Sequence, residues 1–293
     1  MNIRNILIPV DFSKYSDMAV DYGLMLAEKF GADVNLLHTV LLFREDVDEA
    51  EELVAYEDLV REKESERRAL MASHASTCKD RGVAVTSTML RGFSAADSIL
   101  DYLRGNGVDL VVMGTHGHTG FKRFVYGSVA ERVVRLSPVP VLTTHHSVSG
   151  DAPGSVLIPV DFSEYSRHAV DYGKALADTL NLQVEYLHVV EQSIHPAYAA
   201  GDVDSIFELD AGLRQRVIDR LIEFTGTGAG AAEFAVLEGK PHKAITRHAR
   251  ERGSGLIVMA TRGESGLEHF LIGSTAERVV CIAPCPVLTV GRD

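Results

Sequence analysis

The sequence predicts an α/β protein made of two tandem copies of an open, doubly wound parallel sheet with helices on both faces. Three observations predict it. The chain repeats itself: "ILIPVDFSKYSDMAVDYG" from Ile6 aligns residue by residue with "VLIPVDFSEYSRHAVDYG" from Val156, at an offset of 150. The closing segments repeat as well, "GSVAERVVRLSPVPVLTT" from Gly127 and "GSTAERVVCIAPCPVLTV" from Gly273, at an offset of 146. A unit this long occurring twice means a duplicated domain, not a solenoid, and 293 residues suit two domains. Second, short β-branched runs alternate with helical periodicity in each copy, the pattern of βαβ units. Third, "VDLVVMGT" and "SGLIVMAT" are continuous apolar runs, as expected of a parallel strand covered on both faces.

The elements follow in order. The first strand is Ile6 to Val10, and Val156 to Val160 in the second copy. A helix comes next, with Ala19, Tyr22, Gly23, Leu26, Ala27 and Phe30 at spacings of three and four. "DVNLLHTV" and "QVEYLHVV" are second strands. The charged, glycine-poor stretch Glu45 to Lys79 reads as a helix, either a solvated face or a lid. Third strands fall around Ala84 to Leu90 and Phe234 to Leu237. A helix leads to the apolar fourth strand, and a last helix and "VPVLTT" or "CPVLTV" close the unit. Each copy thus holds five strands and four helices. The small, polar, turn-rich segment "HHSVSGDAPGS" separates them. The domains are 1–146 and 155–293, with 147–154 as linker.

Composition narrows the function. Apolar content of 46% with 24% charged residues implies a packed globule. No apolar run is long enough to span a bilayer, and "MNIRNILIPVDFS" lacks the sections of a signal peptide, so no membrane partner and a cytoplasmic location are expected. The net charge of −12, with no basic stripe, argues against a nucleic-acid partner. Cys281 and Cys285 have poor zinc spacing and read as buried thiols.

Ligands of open α/β sheets bind outside the carboxyl ends of the strands, where strand order reverses. Asp11 and Asp161 directly follow the first strands. Glycine-rich segments follow the fourth strands: "GTHGHTGFKRFVYGS" from Gly114 and "ATRGESGLEHFLIGS" from Ala260. If the first and fourth strands are neighbours, carboxylate and loop face one crevice. Gly114 and Gly117 let backbone N–H groups approach an anion. Gly127 and Ser128 open a helix whose N-terminus offers unpaired donors and partial positive charge. Ser128 with Glu131, and Ser274 with Glu277, also fit a capping box, which would serve the helix alone. Capping does not require Gly114 and Gly117.

Gly114, Gly117 and Gly127-Ser128, at this spacing, resemble the nucleotide loop of ATP-binding universal stress proteins. "ILIPVDFS", "LLHTV" and "PVPVLTT" resemble the same family, and the likeness covers essentially the whole chain as two copies. It implies a Rossmann-like sheet of strand order 3-2-1-4-5 and ATP in the switch-point crevice. It also implies antiparallel pairing of the last strands of two domains, here the two halves of one chain, and leaves open a homodimer of tandem chains. Position by position, it implies that Asp11, Pro9 and Val10 contact the adenosine, and that Thr39 lines the adenine pocket. Met113 and Gly114 would frame the ribose, and Gly117, Gly127, Ser128 and Val129 would hold phosphates. Magnesium or manganese would bridge phosphate oxygens with few protein ligands. The matching positions of the second copy are Asp161, Val189, Met259, Ala260, Gly263, Gly273, Ser274 and Thr275.

The second copy departs from this pattern. Ala260 adds a methyl group at a close-approach position. Where the first loop carries Lys122 and Arg123, the second carries Glu264 and Glu268, a formal change from +2 to −2. At about 8 Å and an effective dielectric of about 40, each charge is worth roughly 1 kcal/mol to a phosphate. The first domain should therefore hold ATP more tightly. His38 and His188 end strands and read as histidines satisfied by backbone; His116 and His118 read as exposed loop residues. The expected function is an ATP-binding, stress-response regulatory protein with at most slow hydrolysis. The alternatives are an enzyme of a related nucleotide-binding fold and a ligand-free interaction module. No catalytic residue and no protein metal ligand is assigned.

Overall fold

The computed structural model describes residues 1–42, 50–115, 127–145, 153–191, 205–228, 230–263 and 272–291, apart from the side chains of 50–56. The chain divides into two compact units, 2–150 and 151–293.

The first unit runs β1 (Asn5–Pro9), α1 (Lys14–Phe30), β2 (Asp33–Leu41), α2 (Ala50–Asp80), β3 (Val85–Gly92), α3 (Ala95–Gly105), β4 (Leu110–Gly114), α4 (Ser128–Leu136) and β5 (Val141–Thr144). Its strands are parallel and ordered 3-2-1-4-5. Ile6 pairs with Val34 of β2 on one side and with Leu110 of β4 on the other. The order therefore reverses at β1. Ile6, Leu7 and Ile8 are all fully buried, so both faces of β1 are covered, as are those of β4 at Val111 and Val112.

Helix α1 buries Ala19, Val20, Leu24 and Ala27 against that sheet. Ser13 caps it, its hydroxyl oxygen accepting from the Ser16 N–H at 3.3 Å. Gly31, at φ 63°, ends it in the left-handed conformation that glycine adopts without a steric penalty. Helix α2 is one element of 31 residues; residues 45–49, the start of the predicted helix, lie outside the described residues.

The second unit repeats the plan: β6 (Ser155–Pro159), α5 (Glu164–Leu180), β7 (Gln183–Val190), α6 (Ile206–Leu209), α7 (Leu213–Thr225), β8 (Glu233–Glu238), α8 (Pro241–Arg252), β9 (Leu256–Ala260), α9 (Ser274–Ile282) and β10 (Val287–Val290). Its parallel order is β8-β7-β6-β9-β10, again reversing at the unit's first strand. One difference from the expected element count is a fifth helix among the described residues. The short α6 stops at Asp210, whose carboxylate accepts the Gly212 N–H at 3.1 Å, and Gly212 then opens α7. A local side-chain bond to the backbone competes here with helix continuation.

Candidate functional site

The carboxyl end of β1 sets the geometry. Asp11 Oδ1 accepts the Ser13 N–H at 3.0 Å; Asp161 repeats this with the Ser163 N–H at 3.0 Å and adds the Ser163 hydroxyl at 2.6 Å. Between each aspartate and serine the chain passes through a left-handed phenylalanine, Phe12 at φ 64° and Phe162 at φ 66°. A bulky residue there costs about 1–3 kcal/mol. The turn brings the Phe12 ring against His38, with centroids 4.7 Å apart, and the Phe162 ring against His188 at the same distance.

Both histidines are tied to backbone, as expected: His38 Nδ1–H donates to the Val10 carbonyl and His188 Nδ1–H to the Val160 carbonyl, each at 2.7 Å. Burial holds His38 below its ordinary pKa; the bond to Val10 works against that shift, and the Arg67 cation adds to it.

The glycine-rich segments are closed at their bases. The Gly127 N–H donates to the Thr115 carbonyl at 2.9 Å, and the Gly273 N–H to the Thr261 carbonyl at 2.7 Å. Thr115 and Thr261 are themselves held by N–H donation to Thr144 and Val290, at 3.1 and 3.0 Å. The capping box does not form. Gly127 and Gly273 are the N-caps, no side chain caps either helix, and Ser128 and Ser274 are the exposed first residues of α4 and α9. The N–H groups of Ser128 and Val129 consequently have no partner within α4.

In the first unit these parts surround a cavity of about 420 Å³. Pro9, Val10, Asp11, Thr39, Met113, Gly114, Gly127, Ser128 and Val129 all line it. Gly117, His116, His118, Lys122 and Arg123 lie outside the described residues. The β2 and α3 side is apolar, with Leu37, Val40, Leu41, Ala95 and Ile99. In the second unit Asp161, Val189, Met259, Ala260, Gly263, Gly273, Ser274 and Thr275 line a cavity of about 570 Å³. Glu264 and Glu268 lie outside the described residues.

Two glycines take on structural roles that spacing alone does not assign. A Cβ on Gly114 would lie 2.9 Å from the Tyr15 backbone carbon and oxygen, so this glycine lets the start of α1 pack on β4. Gly114 thus meets α1 on one side while also lining the cavity, as Ala260 does in the second unit. A Cβ on Gly263 would collide with Asp161 Oδ2. Glycine there allows the loop to lie directly against the strand-end carboxylate.

Sequence reasoning missed four charged lining residues. Lys63 and Arg67 of α2 line the first cavity; Glu191, at the position of Leu41, and Arg262 line the second. Among the described lining residues, the first cavity has one carboxylate and two cations, and the second has two carboxylates and one cation. The available signal was the stripe Val60, Lys63, Arg67, Met71 and Cys78 at helical spacing, which puts the two cations on the buried side of α2. Among the described residues no group of three or more His, Cys, Asp or Glu side chains is placed to hold a metal, and no helix is long and apolar enough to cross a membrane.

The fold and its clefts define a duplicated, doubly wound α/β protein with a crevice over each topological switch point. The family model described as the universal stress protein family matches residues 2–145 and again 154–291, and the chain belongs to that family. A universal stress protein of Methanocaldococcus jannaschii is 33% identical over 138 residues, spanning 47% of this chain and 81% of that protein. A universal stress protein E homolog of Haemophilus influenzae is 24% identical over 312 residues, spanning 99% of this chain and 98% of its own. The crystal structure of a universal stress protein from Archaeoglobus fulgidus has the same fold, with a TM-score of 0.72 at 24% identity, covering 99% of this chain and 98% of that one.

Proposed function

We propose that the protein is a stress-response regulatory protein that binds ATP in the cleft of the first unit, and more weakly in that of the second. One observation carries the reading: an uncapped helix N-terminus, a strand-end carboxylate and an apolar floor share one cavity at the switch point. The N–H groups of Ser128 and Val129, with the Ser128 hydroxyl, suit phosphate oxygens. Asp11 suits a ribose hydroxyl or a base N–H, and the apolar side between β2 and α3 suits the base. Gly117 joins the phosphate site on the family resemblance alone. Magnesium or manganese bound with ATP would neutralise its phosphate oxygens, without a dedicated protein cage. We further propose, from the apolar closing runs "VPVLTT" and "CPVLTV", that the last strands of the two halves pair. Sedimentation of the full chain reads whether tandem chains associate again.

Titration calorimetry with magnesium-ATP, joined to mass spectrometry of protein purified without added nucleotide, tests the main reading. One tight event and a weaker one are expected. Rapid turnover would favour an enzyme, and an empty chain at saturating ATP would favour a ligand-free interaction module.

A further inference from the structure

Helix α2 faces its unit with a stripe that changes character along its length. Val60, Met71 and Cys78 are buried apolar anchors. Between Val60 and Met71 the inward positions are Lys63, Glu64 and Arg67, all half-buried. Glu64 belongs to the helix–sheet contact, since Arg91 of β3 donates to it at 2.5 Å and also reaches Glu57 at 3.3 Å. Lys63 and Arg67 instead line the cavity that holds Asp11, Gly127 and Ser128.

Leucine at either position would bury more apolar area, so core packing alone does not select lysine and arginine there. Arg67 is also positioned. Its guanidinium carbon lies 5.4 Å from the centroid of the Phe12 ring, which the left-handed turn after Asp11 fixes in place. His74, one helical stretch further on, stacks on the same ring at 6.0 Å with planes 7° apart, and contacts Asp17 of α1 at 3.4 Å. The part of α2 that carries the cations is therefore docked, not dangling. The second unit repeats the cation over the ring but, among the described residues, places no helical cation in its cavity. Its Arg220 lies over the Phe162 ring at 4.1 Å and does not line the cavity, and Glu191 adds a carboxylate where the first unit has Leu41.

We infer that Lys63 and Arg67 are ligand-contacting residues, and that they make the first cleft select phosphorylated nucleotides over the uncharged nucleoside. The inference rests on the ATP-binding reading above and extends its phosphate site from the N-terminus of α4 to α2. Two cations in the same cavity as a helix N-terminus add positive charge to its free N–H donors for holding a polyanion. Neither contact is available to adenosine, which has no phosphate.

The test is calorimetry on the full chain with magnesium-ATP and adenosine as probes, at two salt concentrations. Lys63→Met and Arg67→Met keep length and helix propensity, and each should weaken ATP about tenfold. The double variant should lose about 100-fold for ATP, leave adenosine within about twofold, and flatten the salt dependence. Arg67→Lys should restore most of the ATP preference. Thermal unfolding confirms that each variant is folded. Unchanged ATP affinity in the folded double variant, or an equal loss for adenosine and ATP, overturns this inference alone. No ATP binding by the unaltered chain overturns it together with the reading it rests on.

Discussion

Asp11 and Asp161 follow their strands in the same kind of turn, Phe12 and Phe162 take the same left-handed conformation, and His38 and His188 donate to the corresponding carbonyls, Val10 and Val160, each at 2.7 Å. Around these shared points the walls have parted. The first cleft is lined by Lys63 and Arg67 of a continuous α2; the second carries Glu191, and among its described lining residues none comes from the broken helix pair α6 and α7. The comparison separates two kinds of constraint. The turn, the closed loop base and the uncapped helix start are backbone devices common to both units. The charge of the walls comes from α2 in the first unit and from residues just past β7 and β9, Glu191 and Arg262, in the second.

The sharpest way to break the comparison is to block each loop in turn. Gly127→Glu places bulk and a carboxylate at the N-terminus of α4, and should weaken the tight ATP event by about two orders of magnitude or more. Gly273→Glu should leave that event in place, since a Cβ at 273 meets its nearest atom, the Thr261 oxygen, at an ordinary 3.4 Å. Loss of the tight event in Gly273→Glu instead would assign it to the second unit. Asp11→Ala comes next. Removing a charged hydrogen-bond acceptor should cost about 1.5–3 kcal/mol in ATP binding, read by calorimetry in a variant shown to be folded. Unchanged affinity would remove Asp11 from the binding site.

The next effect concerns stability. Gly114→Ala pushes a methyl group into the Tyr15 backbone and should lower unfolding stability by about 1–3 kcal/mol, measured by denaturant titration. Ala260→Gly should cost only about 0.5–1 kcal/mol. Equal effects would mean that both units leave the same space between helix and strand. The smallest effect is pH-dependent. His38 is held below its ordinary pKa, so on acidification the unfolded chain takes up that proton first. Its stability contribution is whole above about pH 6.5 and is lost as pH falls toward the depressed value. His38→Asn, which keeps a donor for Val10, should make the fall in melting temperature between pH 7 and 5 shallower. An unchanged slope would assign the acid sensitivity to other groups.

The sequence made the duplication, the element order and the strand-end aspartates legible, because repeats and apolar periodicity are local signals. Its likeness to one family supplied the strand order. It did not show why Gly114 is glycine: Tyr15 lies far away in sequence, and only the packing of α1 on β4 brings it close. Nor did it separate a capping serine from an exposed first-turn serine, since the S-x-x-E spacing is the same for both. Lys63 and Arg67 were hidden in a stretch so charged that its inward stripe is diluted. Which of its many cations faces inward depends on where Val60, Met71 and Cys78 anchor the helix.

The hydrogen bonds that close each loop base have a consequence for how such proteins diversify. Thr115 to Gly127 and Thr261 to Gly273 are clasps of the same kind, and the segments they enclose, 116–126 and 262–272, are equal in length. What lies inside a clasp can be exchanged as a cassette without re-registering a strand or moving a helix. Transplanting 262–272 into the first unit would change the loop while leaving Lys63 and Arg67 in place. If ATP affinity followed the cassette, specificity would be carried by a segment one recombination event can move; if it stayed with the host, it would be carried by the long helix, which evolution must remodel residue by residue.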